Sequence, residues 1–169
     1  YIRNGVLTVD DTVFTENSSG TGGGIYHFNS TALTPVFTEL SITDCTFQGN
    51  TTTSNGGAVS FGSDLSLYSS YFTAFIEDSH FLENSASSGG AITSGGRNVL
   101  VSGSTFVKNS ARNFGGGIND NSLNLTVQNC LFDQNSADAW GGAIYSNWKL
   151  VLQNSTLSGN TALVVGGGI

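Results

Sequence analysis

Methionine is absent from this chain of 169 residues, there is a single proline, and only 10% of residues are charged. Among the charged residues the basic ones are the scarcer: five, against twelve acidic ones, for a net charge of −7 and a pI near 4.3. Arg3, Arg97, Lys108, Arg112 and Lys149 form no run. A surface that neutralises phosphates is therefore missing, and no nucleic acid is expected as a partner. No apolar stretch approaches the roughly 18 residues that mark a membrane-spanning helix, so no membrane span is expected in this segment. An initiating methionine and a signal peptide are also missing, so a mature or excised chain is expected, one that does not report its own targeting.

What is abundant is Gly, Ser, Thr and Asn, a balance that in other settings marks disorder. Eleven phenylalanines and a strict internal period argue against that here. An apolar anchor with Asn three residues on occurs six times, as Phe14–Asn17, Phe47–Asn50, Phe81–Asn84, Phe106–Asn109, Phe132–Asn135 and Leu157–Asn160. Each is followed by glycines and a small or aliphatic residue, ending at Ile25, Val59, Ile92, Ile118, Ile144 and Ile169. A period of about 20–50 residues signals a solenoid, a propeller or an array.

Aligned on the anchor, the copies show apolar residues two apart upstream, from Leu7/Val9 through Leu40/Ile42 to Leu150/Leu152. That is the period of a strand with one buried face. Small residues flank the anchor on both sides, and no copy has room for a helix of about ten residues. Three short strands per coil, separated by tight polar corners, describe a parallel β-helix of about six coils. One domain, 1–169, is expected, with units at approximately 1–25, 26–59, 60–92, 93–118, 119–144 and 145–169. Coils stacked about 4.8 Å apart bring equivalent residues into columns. Asn17, Asn50, Asn84, Asn109, Asn135 and Asn160 then form an inward ladder of amides that satisfy one another along the axis. Asn also tolerates the left-handed conformation of a sharp corner. Glycine before the aliphatic residue lets the backbone pass close to the opposite wall.

Cys45 and Cys130 share a column three coils apart, about 14 Å by that spacing, against a bridgeable limit of about 7 Å between α-carbons. Both are read as buried, unpaired small residues. The opening residues continue the corner that follows each Gly-Gly-aliphatic phrase: Ile118 to Leu125 is seven residues, and joining Ile169 to Tyr1 again gives seven to Leu7. This register fits either a segment of a longer array or units stacked head to tail, a heterologous contact that makes an open filament. Copies of the chain itself are thus the expected partners.

The first two copies carry insertions at the same corner, roughly 27–38 and 61–73, holding Phe28, Phe37, Phe61, Tyr68, Tyr71 and the proline, Pro35. Insertions in solenoids often carry function, although these aromatics equally serve to cover one another or the helix flank. Phe114, Trp140 and Val165 form a further column just before the glycines, with Trp148 at a nearby corner. Such a row suits a lateral contact or a stacking surface for sugar rings, and equally a shield for the corner backbone.

Five Asn-x-Ser/Thr sequons begin at Asn17, Asn29, Asn50, Asn124 and Asn154. The ladder positions are expected to be blocked, leaving Asn29 and Asn124 as the favoured glycan acceptors in a eukaryotic source, with Asn154 a further candidate. Asp11, Asp44 and Asp78 share a corner column. Stacked carboxylates suit a hard cation such as Ca²⁺, but the nonapeptide calcium repeat is missing and Asp is an ordinary corner residue. No metal or cofactor is therefore expected. Asp44, Glu77, Asp78 and His80 form the one acidic cluster, with the basic residues elsewhere and His27 on another column. No nucleophile–base pair is visible, and catalysis is not expected.

The literal phrases Gly89-Gly90-Ala91-Ile92 and Gly141-Gly142-Ala143-Ile144, with Phe106–Asn109 and its relatives, resemble the repeats of the chlamydial polymorphic outer-membrane proteins. These form a family of β-helix autotransporter adhesins. The resemblance covers essentially the whole chain and implies a cell-surface passenger domain used in adhesion. With the general right-handedness of parallel crossovers, it gives the expected fold as an all-β, right-handed parallel β-helix. The expected function is a non-catalytic extracellular rod or fibril subunit. An adhesin that binds a surface protein or glycan comes second, and a polysaccharide-active enzyme third.

Overall fold

The computed structural model describes residues 1–29, 37–63 and 72–169. It shows a parallel β-helix: four sheets of six strands each, with no helix among the described residues. Each coil contributes one strand to each sheet. In the fourth coil these are Ile92–Ser94, Asn98–Ser102, Thr105–Val107 and Ser110–Ala111. Every strand pairs in parallel with its counterparts in adjacent coils, and the columns fall into register as the repeat requires: Phe81↔Phe106, Phe106↔Phe132, Ile118↔Ile144.

The expected three strands per coil are thus corrected to four. The additional strand is a two-residue piece such as Ser110–Ala111 or Ser136–Ala137, just after the asparagine. Two residues are too few to display an alternating pattern, so only their pairing reveals them. The insertions are also shorter than expected. The strands Ile25–Asn29 and Val59–Ser63 run on into them, paired as His27↔Phe61 and Phe28↔Gly62, and chain order resumes with Thr38–Thr43 and Phe72–Glu77.

Aliphatic columns line much of the interior, and two further columns stack side chain on side chain. Phe14, Phe47, Phe81, Phe106 and Phe132 stack face to face, with ring centroids 4.7, 5.0, 4.7 and 4.5 Å apart and planes within 4° of parallel. The spacing is that of the coils, so each ring follows the backbone with no rotamer change. Beside it runs the asparagine ladder. Asn84 donates from Nδ2 to Phe47 O (2.9 Å) and Asn109 Oδ1 (2.9 Å). Its own Oδ1 accepts from the main-chain N–H (2.9 Å) and Nδ2 (3.0 Å) of Asn50. A buried primary amide offers two donors and two acceptor sites, and all of them are used here. The same pattern holds from Asn50 to Asn135, and the end rungs Asn17 and Asn160 make part of it.

The ladder asparagines themselves do not take the left-handed conformation. That task falls to the residue before each one: Glu16, Gly49, Glu83, Lys108, Gln134 and Gly159, with φ between 53° and 64°. A second left-handed row, Asp11, Asp44, Asp78, Gly103, Asn129 and Asn154, turns the preceding corner. Asparagine is selected at the ladder for its amide, while corner strain sits on neighbours whose side chains leave the interior.

A further interior column mixes thiols and hydroxyls. The main-chain N–H of Cys45 donates to Ser79 Oγ (3.1 Å), that of Ser79 to Ser104 Oγ (3.1 Å), and that of Cys130 to Ser155 Oγ (3.1 Å). Both cysteines are free and buried, as their register requires. Burial pushes both thiols above the ordinary value, which keeps them protonated and unreactive.

Among the described residues two buried side chains have unpartnered polar atoms, Thr38 at its hydroxyl and His27 at its ring. His27 is buried with neither ring nitrogen hydrogen-bonded, its ring set edge-on to Phe72 at 5.2 Å. Burial lowers its pKa from 6.5; the nearby carbonyls of Asn4 and Gly5 oppose this without bonding the ring. The unfolded chain therefore takes up the proton first. Stability is unaffected above about pH 6.5 and is lost as the pH falls below it. Thermal melts at pH 7 and pH 5 should show a larger drop for the native sequence than for His27→Phe, about 3 °C for each kcal/mol of penalty.

The ladder makes its own prediction. Asn109→Leu strands the main-chain N–H and one Nδ2 hydrogen of Asn84 in a buried site. Urea denaturation should show a loss of about 3–5 kcal/mol. Asn17→Ala, at the exposed outermost rung, should cost about 1 kcal/mol or less.

Candidate binding groove on the first sheet

The turn into the first sheet is built on glycine. Gly115 takes φ +62°, and a Cβ on the following Gly116 would run into the carbonyl oxygen of Gly142. The close approach at this corner is to the adjacent coil rather than to the opposite wall. Hydrogen bonds then lock the corner of each coil to the next: Gly89 N–H to Phe114 O (2.8 Å), Gly115 N–H to Trp140 O (3.0 Å), Gly141 N–H to Val165 O (3.1 Å). Phe114, Trp140 and Val165, each just before a corner glycine, stand in line. A second column, Tyr26, Ser60, Thr93, Asn119 and Tyr145, rises from the first sheet in strict register, its three middle members buried.

Two depressions lie along this sheet. One, of about 290 Å³, is lined by Thr21, Tyr26, Phe28, Asn55, Ser60 and Thr93 with their neighbours. Another, of about 400 Å³, lies at the free edge of the last strand of this sheet, Ile144–Ser146, and is lined by that strand with Trp140, Gly141, Val165 and Ile169. Trp140 is 41% exposed. Phe114 lies 5.2 Å from its ring and 5.0 Å from that of Tyr145, making one aromatic cluster. The Tyr145 hydroxyl donates to Asn147 Oδ1 (2.8 Å), and Asn147 Nδ2 to Asn121 Oδ1 (2.6 Å). Asn121 also borders the other depression. Beneath this face the buried carboxyl of Asp120 accepts from Ser94 Oγ (2.6 Å), Ser122 N–H (3.0 Å) and Ser146 Oγ (2.8 Å).

The structure therefore brings Phe114 and Trp140 together, and adds Tyr145, which sequence reasoning missed. Its column carries Tyr, Ser, Thr and Asn in turn, so no composition signal picks it out. Trp148 stands apart at the next corner, 66% exposed. Phe28 stacks on Tyr26 at 5.6 Å, while Phe37 is highly exposed. Phe61 was expected in an insertion available for contact. It instead points inward, buried, with its ring 5.4 Å from that of Phe72, because its strand extends one inward position further than the repeat suggests. Tyr68 and Tyr71 lie outside the described residues.

Asn29 is likewise corrected. It ends the strand Ile25–Asn29 on the inward face and is buried, which is incompatible with a glycan attached to the folded chain. Asn124 faces outward, half-buried, its Nδ2 bonded to Asn98 Oδ1 (3.1 Å). Asn154 is exposed at its corner. Asp11, Asp44 and Asp78 are exposed corner residues. Among the described residues no three His, Cys, Asp or Glu side chains converge as a metal site would. Glu77 accepts from Ser102 Oγ (3.2 Å), and His80 Nδ1 bonds Thr105 Oγ1 (2.8 Å). The acidic cluster is thus spread along strand and corner instead of closing on one point.

No curated protein and no solved structure matches the chain. The family described as the right handed beta helix region matches residues 1–169. With four parallel sheets wound coil on coil, a fold suited to structural and surface proteins, the chain belongs to the right-handed β-helix family.

Proposed function

We propose that this chain is a non-catalytic extracellular structural element, a β-helix rod whose coils stack end to end on coils of the same kind. The observation that carries this reading is the polarity of the asparagine ladder. At one face Asn17 presents an Oδ1 that no donor reaches among the described residues. At the other, Asn160 uses one Nδ2 hydrogen on Phe132 O (2.9 Å), leaving the second and its main-chain N–H facing outward. Donors at one face match acceptors at the other.

The apolar columns support the same contact. Phe14, Leu7 and Val9 on the first coil are only partly covered, as are Leu150, Leu152 and Leu157 on the last, whereas their counterparts between are buried. A further coil, from a continuation of the same polypeptide or from a second copy, would cover both sets. The likeness of the repeat phrases to the chlamydial surface family supports placement at the cell surface. In a eukaryotic secretory pathway Asn154 and Asn124 are the accessible acceptors. An adhesin bearing a glycan or surface-protein ligand is the alternative, favoured by the exposed Trp140 cluster.

Negative-stain electron microscopy and sedimentation test the stacking. The 169-residue chain should form filaments of uniform width as concentration rises. Phe14→Lys, which places a charge on one face, should leave short or single particles with an unchanged far-UV spectrum. A chain that stays monomeric at all concentrations would count against stacking between copies.

A further inference from the structure

We infer that an N-linked glycan on Asn124 packs back onto the outer face of the second sheet, its first two sugars covering Leu100 and Phe75. Such a modification presupposes the extracellular placement proposed above, and it gives the glycan a task in the fold.

The acceptor and its sequon hydroxyl stand on one side of one strand. In Asn124–Gln128 the side chains of Leu125 and Val127 are buried in the core, so Asn124 and Thr126 face out, both half-buried. Register sets Asn124 beside Asn98 and Thr73, and Thr126 beside Leu100 and Phe75. These six residues line a depression of about 310 Å³ across three coils. The depression therefore holds its own acceptor. Asn17, Asn29, Asn50 and Asn154 lie elsewhere, and Asn154 stands on an exposed left-handed corner.

The amide also points the right way. Asn124 Nδ2, the atom that would carry the sugar, donates to Asn98 Oδ1 (3.1 Å). It is aimed along the axis, toward the coils that hold Leu100 and Phe75. Glycosylation replaces one of its two hydrogens and leaves the other for Asn98. At about 4.8 Å per coil and about 3.3 Å per residue, the α-carbons of Leu100 and Phe75 lie about 8 and about 12 Å from that of Asn124. The first and second N-acetylglucosamine beyond the amide cover that distance.

The lining suits those rings. Leu100 and Phe75 form an apolar strip, edged by the hydroxyls and amides of Thr73, Asn98 and Thr126. A pyranose has the matching apolar face and polar rim. No charged side chain lines the depression, and a neutral sugar needs none. Attachment makes the contact intramolecular, so a patch too weak to hold a free sugar is still occupied. A side-by-side contact between two copies would need a far larger surface, since specific interfaces bury about 1,200–2,000 Å².

The test compares the chain secreted from a glycosylating eukaryotic host with the same chain made in bacteria, which carries no glycan. Peptide mapping should find Asn124 occupied. Thr126→Val removes this sequon while leaving Asn124 and its bond to Asn98 in place. It should lower the melting midpoint of the secreted chain by about 3 °C and that of the bacterial chain by about 1 °C or less. Phe75→Thr should show the same split. Thr156→Val, which removes the sequon at the exposed Asn154 corner, should leave the secreted chain's midpoint unchanged. The proposal is overturned if Asn124 is bare, or if Thr126→Val or Phe75→Thr shifts both forms equally. It is equally overturned if the bacterial chain pairs side by side and Phe75→Thr abolishes that pairing, which would make this face a contact between copies. Failure of end-to-end stacking leaves these outcomes readable, because each is a difference between glycosylated and bare forms of one chain.

Discussion

Every coil must find its hydrogen-bond partners in the coil above and the coil below. A globular core can satisfy an inward amide in many ways, but an amide inside a narrow solenoid has two neighbours, and both are copies of its own column. Asn84 is satisfied because Asn50 and Asn109 stand where they do, and each of those depends in turn on the next. Leaving a buried polar group unpaired is far costlier than a made bond is favourable. The column therefore behaves as one unit, and the sixfold recurrence of asparagine is the chemical consequence.

Where the demand is weaker, the columns relax. The phenylalanine stack ends in Leu157, since packing asks only for volume and an apolar surface. Thr12, Cys45, Ser79, Ser104, Cys130 and Ser155 interchange because a hydroxyl or thiol of that size meets the same main-chain partners. Cys45 Sγ lies 3.0 Å from Thr43 O, where Ser79 Oγ lies 2.7 Å from Glu77 O. Asp120 is an exception that obeys the rule by other means. Its carboxyl interrupts a column without repeating it, and is accommodated because Ser94 and Ser146 stand on the coils either side.

This hierarchy explains what could be read from the residues alone. The asparagines, the phenylalanines and the Gly-Gly-aliphatic corners answer to the strictest demands, so they recur and reveal the winding, the coil number and the register. The fourth strand stayed hidden because a pair such as Ser136–Ala137 has no alternation. The conformational role assigned to asparagine was misplaced by one residue: the left-handed positions accept Glu, Lys, Gln and Gly alike and so leave no compositional trace. Phe61 and Asn29 were misread for a related reason. A strand that lengthens into an insertion leaves the repeat at a point that only its pairing with the adjacent coil defines.

Tyr145 shows why the candidate site was the least legible part. Columns outside the apolar core carry no obligation to their neighbours, so Tyr26, Ser60, Thr93, Asn119 and Tyr145 follow one another without a motif. The same freedom is what makes such a face usable. Ladder and ring stack supply the cohesion of the rod, and a change on the outside disturbs neither. Recognition chemistry can accumulate there at small cost to folding, provided the side chains stand on strands that do not move. A solenoid whose interior is rigidly repetitive and whose first-sheet face is chemically irregular has separated the two tasks, and the irregular face is where selection for a ligand would act.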